Sequence, residues 1–230
     1  LSLGWEDSGM LGGQFFRYGI HATLADYTSV IDKYNNALKA LGDNAYNTSY
    51  YEGMRIGDIW GYVCNGLYQT QAEIDADEAK AQAAGQAHYN GRMQQTESYM
   101  VYPGDMRFED LNGNGYIDRG ANTADDAGDR KIIGNSEPRY IYSFGFDVEW
   151  AGIFANAFFQ GVGKQDWYPD NESSAFWGMY NRPYNQMPTW HLNNYWTEDH
   201  TDAYLPRYTG YFAPFYKGRV HANTRYMQDA

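Results

Sequence analysis

The segment Arg139–Trp150, RYIYSFGFDVEW, constrains the fold more than any other stretch of this chain. Tyr140, Tyr142, Phe144, Phe146, Val148 and Trp150 fall on one parity. Ile141, Ser143, Gly145, Asp147 and Glu149 fall on the other. Side chains alternate across a strand, so this pattern predicts a long strand with one aromatic face and one more polar face. The turn pair Ala151-Gly152 follows, and Ile153–Gly161 alternates again: Ile153, Ala155, Ala157 and Phe159 against Asn156 and Gln160, with Phe154 and Phe158 on the second side. Two such runs joined by so short a loop predict a β-hairpin.

Ordinary strands average about five or six residues. Strands that cross a bilayer run about 9–11 residues and alternate apolar-out, polar-in. Residues 14–27 repeat the pattern, with Phe16, Tyr18, Ile20, Ala22 and Leu24 opposite Arg17, His21 and Thr23. Residues 1–6 read as the end of another strand, joined to it by a polar, Gly-rich turn near Asp7–Gly13. Residues 28–138 and 162–230 read as very long loops, and loops of that length are either functional or carry structure of their own. One short helix is expected over Ala72–Ala84, where Thr70-x-x-Glu73 is a capping box; its apolar content is mostly Ala, which suits a surface. The fold class is therefore mainly β: antiparallel amphipathic strands of a large outer-membrane β-barrel, with long extracellular loops and a short helix. Four strands cannot close a barrel, which needs about eight. The chain opens Leu1-Ser2-Leu3-Gly4-Trp5 without a basic leader and is expected to be a piece of something longer.

The charge narrows the partners. With 17 Lys+Arg against 29 Asp+Glu the formal net charge is −12, which argues against a nucleic-acid partner. A single cysteine, Cys64, excludes an internal disulfide and a cysteine-based zinc site.

Several segments together carry a family resemblance. They are Ile31–Asn36 (IDKYNN), Tyr50–Tyr62 (YYEGMRIGDIWGY), Asn65–Ile74 (NGLYQTQAEI), Pro103-Gly104-Asp105, Asp110–Asp118 (DLNGNGYID), Asp129–Asn135 (DRKIIGN), Phe158–Gly161 (FFQG) and Tyr195-Trp196-Thr197. In order and spacing the chain resembles the C-terminal part of a SusC/RagA-type TonB-dependent transporter. The resemblance implies an outer-membrane importer of oligosaccharides or peptides in Bacteroidetes-type bacteria, with a plug inside a barrel of about 22 strands. It implies a SusD-like surface lipoprotein as lid, TonB as energy source through parts absent from this chain, and membrane lipid around the barrel. It places the Ala151-Gly152 turn in the periplasm and the long segments outside the cell.

Asp110-x-Asn112-x-Asn114-Gly115-Tyr116-x-Asp118 carries the strongest local chemical signal. Oxygen side chains at positions 1, 3, 5 and 9, Gly at 6 and the Tyr116 carbonyl at 7 match the first part of an EF-hand-type calcium loop. Ca2+ is thus the expected cofactor, pinning an extracellular loop. Position 12 is Ala121, so Asp125, Asp126 or Asp129 must supply the last ligand; the bland reading is a self-bonded Asx-rich turn. Among the aromatics crowding one loop, Trp167, Tyr168, Trp177 and Tyr180 are candidates for stacking on substrate, against a bland reading as packing. His191 and His200, with Asp199 and Asp202, match no zinc spacing. Adjacent carboxylates such as Asp125/Asp126 do not supply a glycosidase geometry, and no catalytic motif is present, so no enzyme activity is expected. The alternative is a free-standing, soluble, calcium-stabilised β module that binds glycans.

Overall fold

Two tight turns set the strand geometry. Gly12 and Gly13 have φ of 61° and 79°, and Ala151 and Gly152 have φ of 52° and 80°. Positive φ at both central residues is the two-residue hairpin turn whose twist matches that of its strands; the alanine accepts a left-handed backbone at roughly 1–2 kcal/mol. The first turn joins β1 (Ser2–Leu11) to β2 (Gln14–Ala25), and the second joins β7 (Arg139–Trp150) to β8 (Ile153–Lys164). These four strands pair antiparallel in the order β1-β2-β7-β8. The first strand runs on to Leu11, so the residues expected to form a turn from Asp7 are strand instead. Their polarity is tolerated because every residue of β1 is exposed.

The computed structural model describes residues 1–42, 49–90, 101–170, 173–180, 182, 184–208 and 221–229. It divides into two compact units. The first is Leu1–Ser29, Ser136–Asp166 and Asp229–Ala230; the second is Val30–Asn135 and Trp167–Gln228. The first unit is the four-stranded sheet, open at β1 and β8 among the described residues. The second is the material expected as loop, and its described residues are folded. It contains β3 (Asp58–Tyr62) paired with β6 (Arg130–Asn135), β4 (Cys64–Leu67) paired with β5 (Met106–Phe108), α1 (Gln71–Ala83) and a single helical turn, α2 (Ser174–Trp177). Its main core gathers Tyr62, Met106, Phe108, Ile117, Tyr168, Trp177, Leu205 and Tyr226.

The capping box is made: the Thr70 hydroxyl accepts from Glu73 N–H at 3.3 Å, and the Glu73 carboxylate accepts from Thr70 N–H at 3.3 Å. The helix is not a pure surface element, because Ile74, Asp77 and Ala81 are buried on one side. Among the described residues no helix is long and apolar enough to cross a bilayer.

Candidate functional site

The sheet is the first candidate surface. Pairing register turns four separate alternations into two continuous faces. The rungs Trp5–Ile20–Phe146–Ala157 and Leu3–Ala22–Phe144–Phe159 lie on one face. The rungs Glu6–Gly19–Asp147–Asn156 and Ser2–Thr23–Ser143–Gln160 lie on the other. A one-residue slip in any pair would exchange the faces, so the register is what keeps them distinct. On the apolar face Phe144 and Phe159 stack at 4.8 Å, yet Phe144, Phe146 and Ile20 remain 45%, 46% and 55% exposed. Asp7 and Gln14 are polar residues on this face; Asp7 lies in the outermost strand and accepts the Ser8 N–H at 2.8 Å.

The opposite face carries Arg17 and Asp147 at 3.8 Å and a Thr23–Ser143 hydroxyl bond at 2.6 Å. His21, expected on the polar parity, lies over Gly145, where a Cβ would meet its ring at 2.5 Å, and stacks on Phe158 at 6.2 Å. Beyond the end of β2, two bonds from Arg139 at 2.5 and 2.6 Å hold the Asp26 carboxyl down to about 2.

The 110–118 loop is the second candidate. Asp110 Oδ1 accepts N–H groups from Gly113 and Asn114, and its Oδ2 accepts from Gly115. Asn112 Oδ1 accepts from Asn114, Asn114 Oδ1 accepts from Tyr116, and Asn114 Nδ2 donates to Asp118. Of the three acids offered as a closing ligand, Asp125 pairs with Lys39 at 2.9 Å and Asp126 accepts from Ala121. Asp129 enters the loop: fully buried, it accepts N–H groups from Leu111, Asn112 and Asp118. Burial pushes its carboxyl up, against the pull of those three bonds. The donor types fit a hard cation. Their arrangement is an Asx-type turn closed by its own hydrogen bonds, and no group of three or more His, Cys, Asp or Glu is gathered for a metal among the described residues.

The aromatic candidates separate sharply. Trp167 is 45% exposed, whereas Tyr168 and Trp177 are 0% and Tyr180 is 2% exposed. The three buried rings also have their polar ends satisfied. Tyr168 donates to the His221 carbonyl at 3.2 Å, Trp177 Nε1 donates to the Asp170 carbonyl at 2.8 Å, and the Tyr180 hydroxyl donates to the Pro206 carbonyl. They are core, and only Trp167 of the four presents a surface for stacking. The two histidines of that region are separate as well: His191 is fully buried, while His200 contacts the exposed Asp202 at 3.3 Å.

One buried acid lies outside the motifs read from the sequence. Asp77 on α1 accepts from Arg107 at 2.8 and 3.1 Å, from Lys80 at 2.7 Å and from the Tyr68 hydroxyl at 3.0 Å. Burial pushes its carboxyl up, but these donors outweigh that and leave it below the ordinary carboxylate range. Its spacing from Ile74 and Ala81, three and four residues away on a helix, was the available clue.

No family model matches the chain. A stretch of 109 residues, 47% of the chain, is 33% identical to TonB-dependent receptor P3 of Formosa agariphila. That stretch spans 8% of the receptor's length.

Proposed function

We propose that this chain is a portion of a SusC/RagA-type outer-membrane importer. It takes up oligosaccharides or peptides with a SusD-like surface lipoprotein and energy from TonB, and it carries out no covalent chemistry. The observation that supports this reading most is the two-sided sheet. Its longest strands have 12 residues. At about 3.3 Å per residue and a tilt near 45° they cover roughly 28 Å of height, close to the ~25 Å apolar band of an outer-membrane barrel. Lipid covers the Phe144 face, water fills the Asp147 side, and the tight turns point to the periplasm. The similarity to a TonB-dependent receptor supports the same reading.

In this scheme the second unit lies outside the cell, where Trp167 offers a ring to substrate or lid. Calcium in the 110–118 loop, held by Asp110, Asn112, Asn114, Tyr116 and Asp118, belongs to the proposal as a clamp on that unit. A calcium titration followed by thermal unfolding tests it: calcium, and not magnesium, raises the transition of the second unit, and Asp110→Ala abolishes the rise. Identical transitions in calcium and in chelator would remove the ion from the scheme.

The importer reading is tested by fractionating source cells and probing with antibody to this chain, boiled and unboiled. A large heat-modifiable band in the outer membrane is expected. A soluble band of the chain's own mass, 26.3 kDa, would instead favour the free-standing glycan-binding module, which draws its support from the separate core of the second unit.

A further inference from the structure

A buried imidazole joins two segments of the second unit. His191 is fully buried. Its Nε2 lies 2.7 Å from the Phe176 carbonyl, and its Nδ1 contacts the Tyr208 hydroxyl. A carbonyl can only accept, so Nε2 carries the hydrogen and the bare Nδ1 accepts from Tyr208. The neutral ring thereby ties residues 184–208 to α2 by a hydrogen bond and packs against Tyr180 of the turn Gly178–Tyr180.

The groups packed around it are aromatic. The Trp190 ring stands perpendicular at 4.2 Å, Tyr180 lies at 5.6 Å and Tyr208 at 6.1 Å, and Tyr195 lies 5.0 Å beyond Tyr208. Burial pushes the Tyr180 and Tyr208 hydroxyls far up, so neither can answer a new positive charge by ionising. No described carboxylate pairs with the ring.

We infer that His191 is an acid-sensitive latch: its protonation releases residues 184–208 from α2. Protonating Nδ1 places two N–H donors against a carbonyl and a hydroxyl that must give up its own donation, and it leaves a cation without a counter-charge. Burial holds the folded-state imidazole below its ordinary value. The unfolded or opened state therefore binds more protons below about pH 6.5, and the latch weakens from there downward until the folded-state value is passed. The inference concerns the second unit alone and goes beyond the transport reading.

The test is hydrogen exchange of peptides covering 184–208 in the full chain, corrected for intrinsic rates, between pH 7.5 and 5.0. The local opening constant is expected to rise by up to about tenfold per pH unit below about 6.5, and in His191→Gln it is expected to stay flat. A flat wild-type profile, or an equal slope in the variant, would overturn the latch. If the variant does not fold, imidazole NMR of the wild type decides. Among the 5 histidines, one resonance that stays neutral until 184–208 opens supports the latch; His191 titrating normally in the closed state refutes it.

Discussion

The sheet and the second unit dispose of apolar surface in opposite ways. In the sheet, Ile153, Phe154 and Trp5 are 72%, 77% and 64% exposed. In the second unit, Trp177, Tyr168 and Tyr226 are 0% exposed. Both are aromatic-rich, and both are built from antiparallel pairs. The difference is layering. The described residues of the first unit form a single sheet layer with exposed apolar side chains, whereas the second unit folds short pairs, a helix and connecting segments around a shared interior. Aromatic content therefore does not distinguish a core from an exposed apolar face; the arrangement of neighbours does.

The contrast can be broken by substitution. Trp177→Ala removes the largest fully buried ring and is expected to destabilise the second unit by about 3–5 kcal/mol, read by denaturant unfolding of the chain. An effect below about 1 kcal/mol would mean that this core does not hold the unit together. Phe144→Arg places a charge on the apolar face and is expected to cost about 2–4 kcal/mol of membrane assembly in the full-length protein, while leaving the second unit's unfolding unchanged. Unimpaired assembly would sink the barrel reading. Asp77→Asn keeps the shape of α1 but weakens the bonds to Arg107, Lys80 and Tyr68; about 1–3 kcal/mol is expected in the second unit. The smallest effect belongs to Arg17→Ala on the polar face. Its pair with Asp147 is half-exposed at both ends, so the change should stay within about 1 kcal/mol and fade with salt. A larger loss would place that pair in a drier setting than an open face.

Much of the sheet was legible because its signal is local. Period-2 alternation needs only neighbouring residues, and β7 and the turn at Ala151-Gly152 stand where the pattern put them. The first strand was less legible, since Asp7, Ser8 and Gly9 look like a turn until the partner strand is seen. The helix start was legible from a bond pair three residues apart. The candidate site was legible in residue type more than in role. Asp110–Asp118 reads as a cation loop, but the group that enters it, Asp129, lies 11 residues beyond Asp118 and is chosen by burial. Tyr168, Trp177 and Tyr180 look like a stacking platform in sequence and are interior in the fold.

By itself the sequence determined the strand periodicity, the turn at Ala151-Gly152, the helix cap and the acidic charge, since each depends on residues within a few positions. Only the tertiary structure decided which faces join into one surface, which aromatics are core, and that Asp77 and His191 are buried. Those outcomes depend on partners far along the chain: Asp77 meets Arg107 across 30 positions, and Thr23 meets Ser143 across 120. Burial is a property of that assembled neighbourhood, and no short window of sequence contains it.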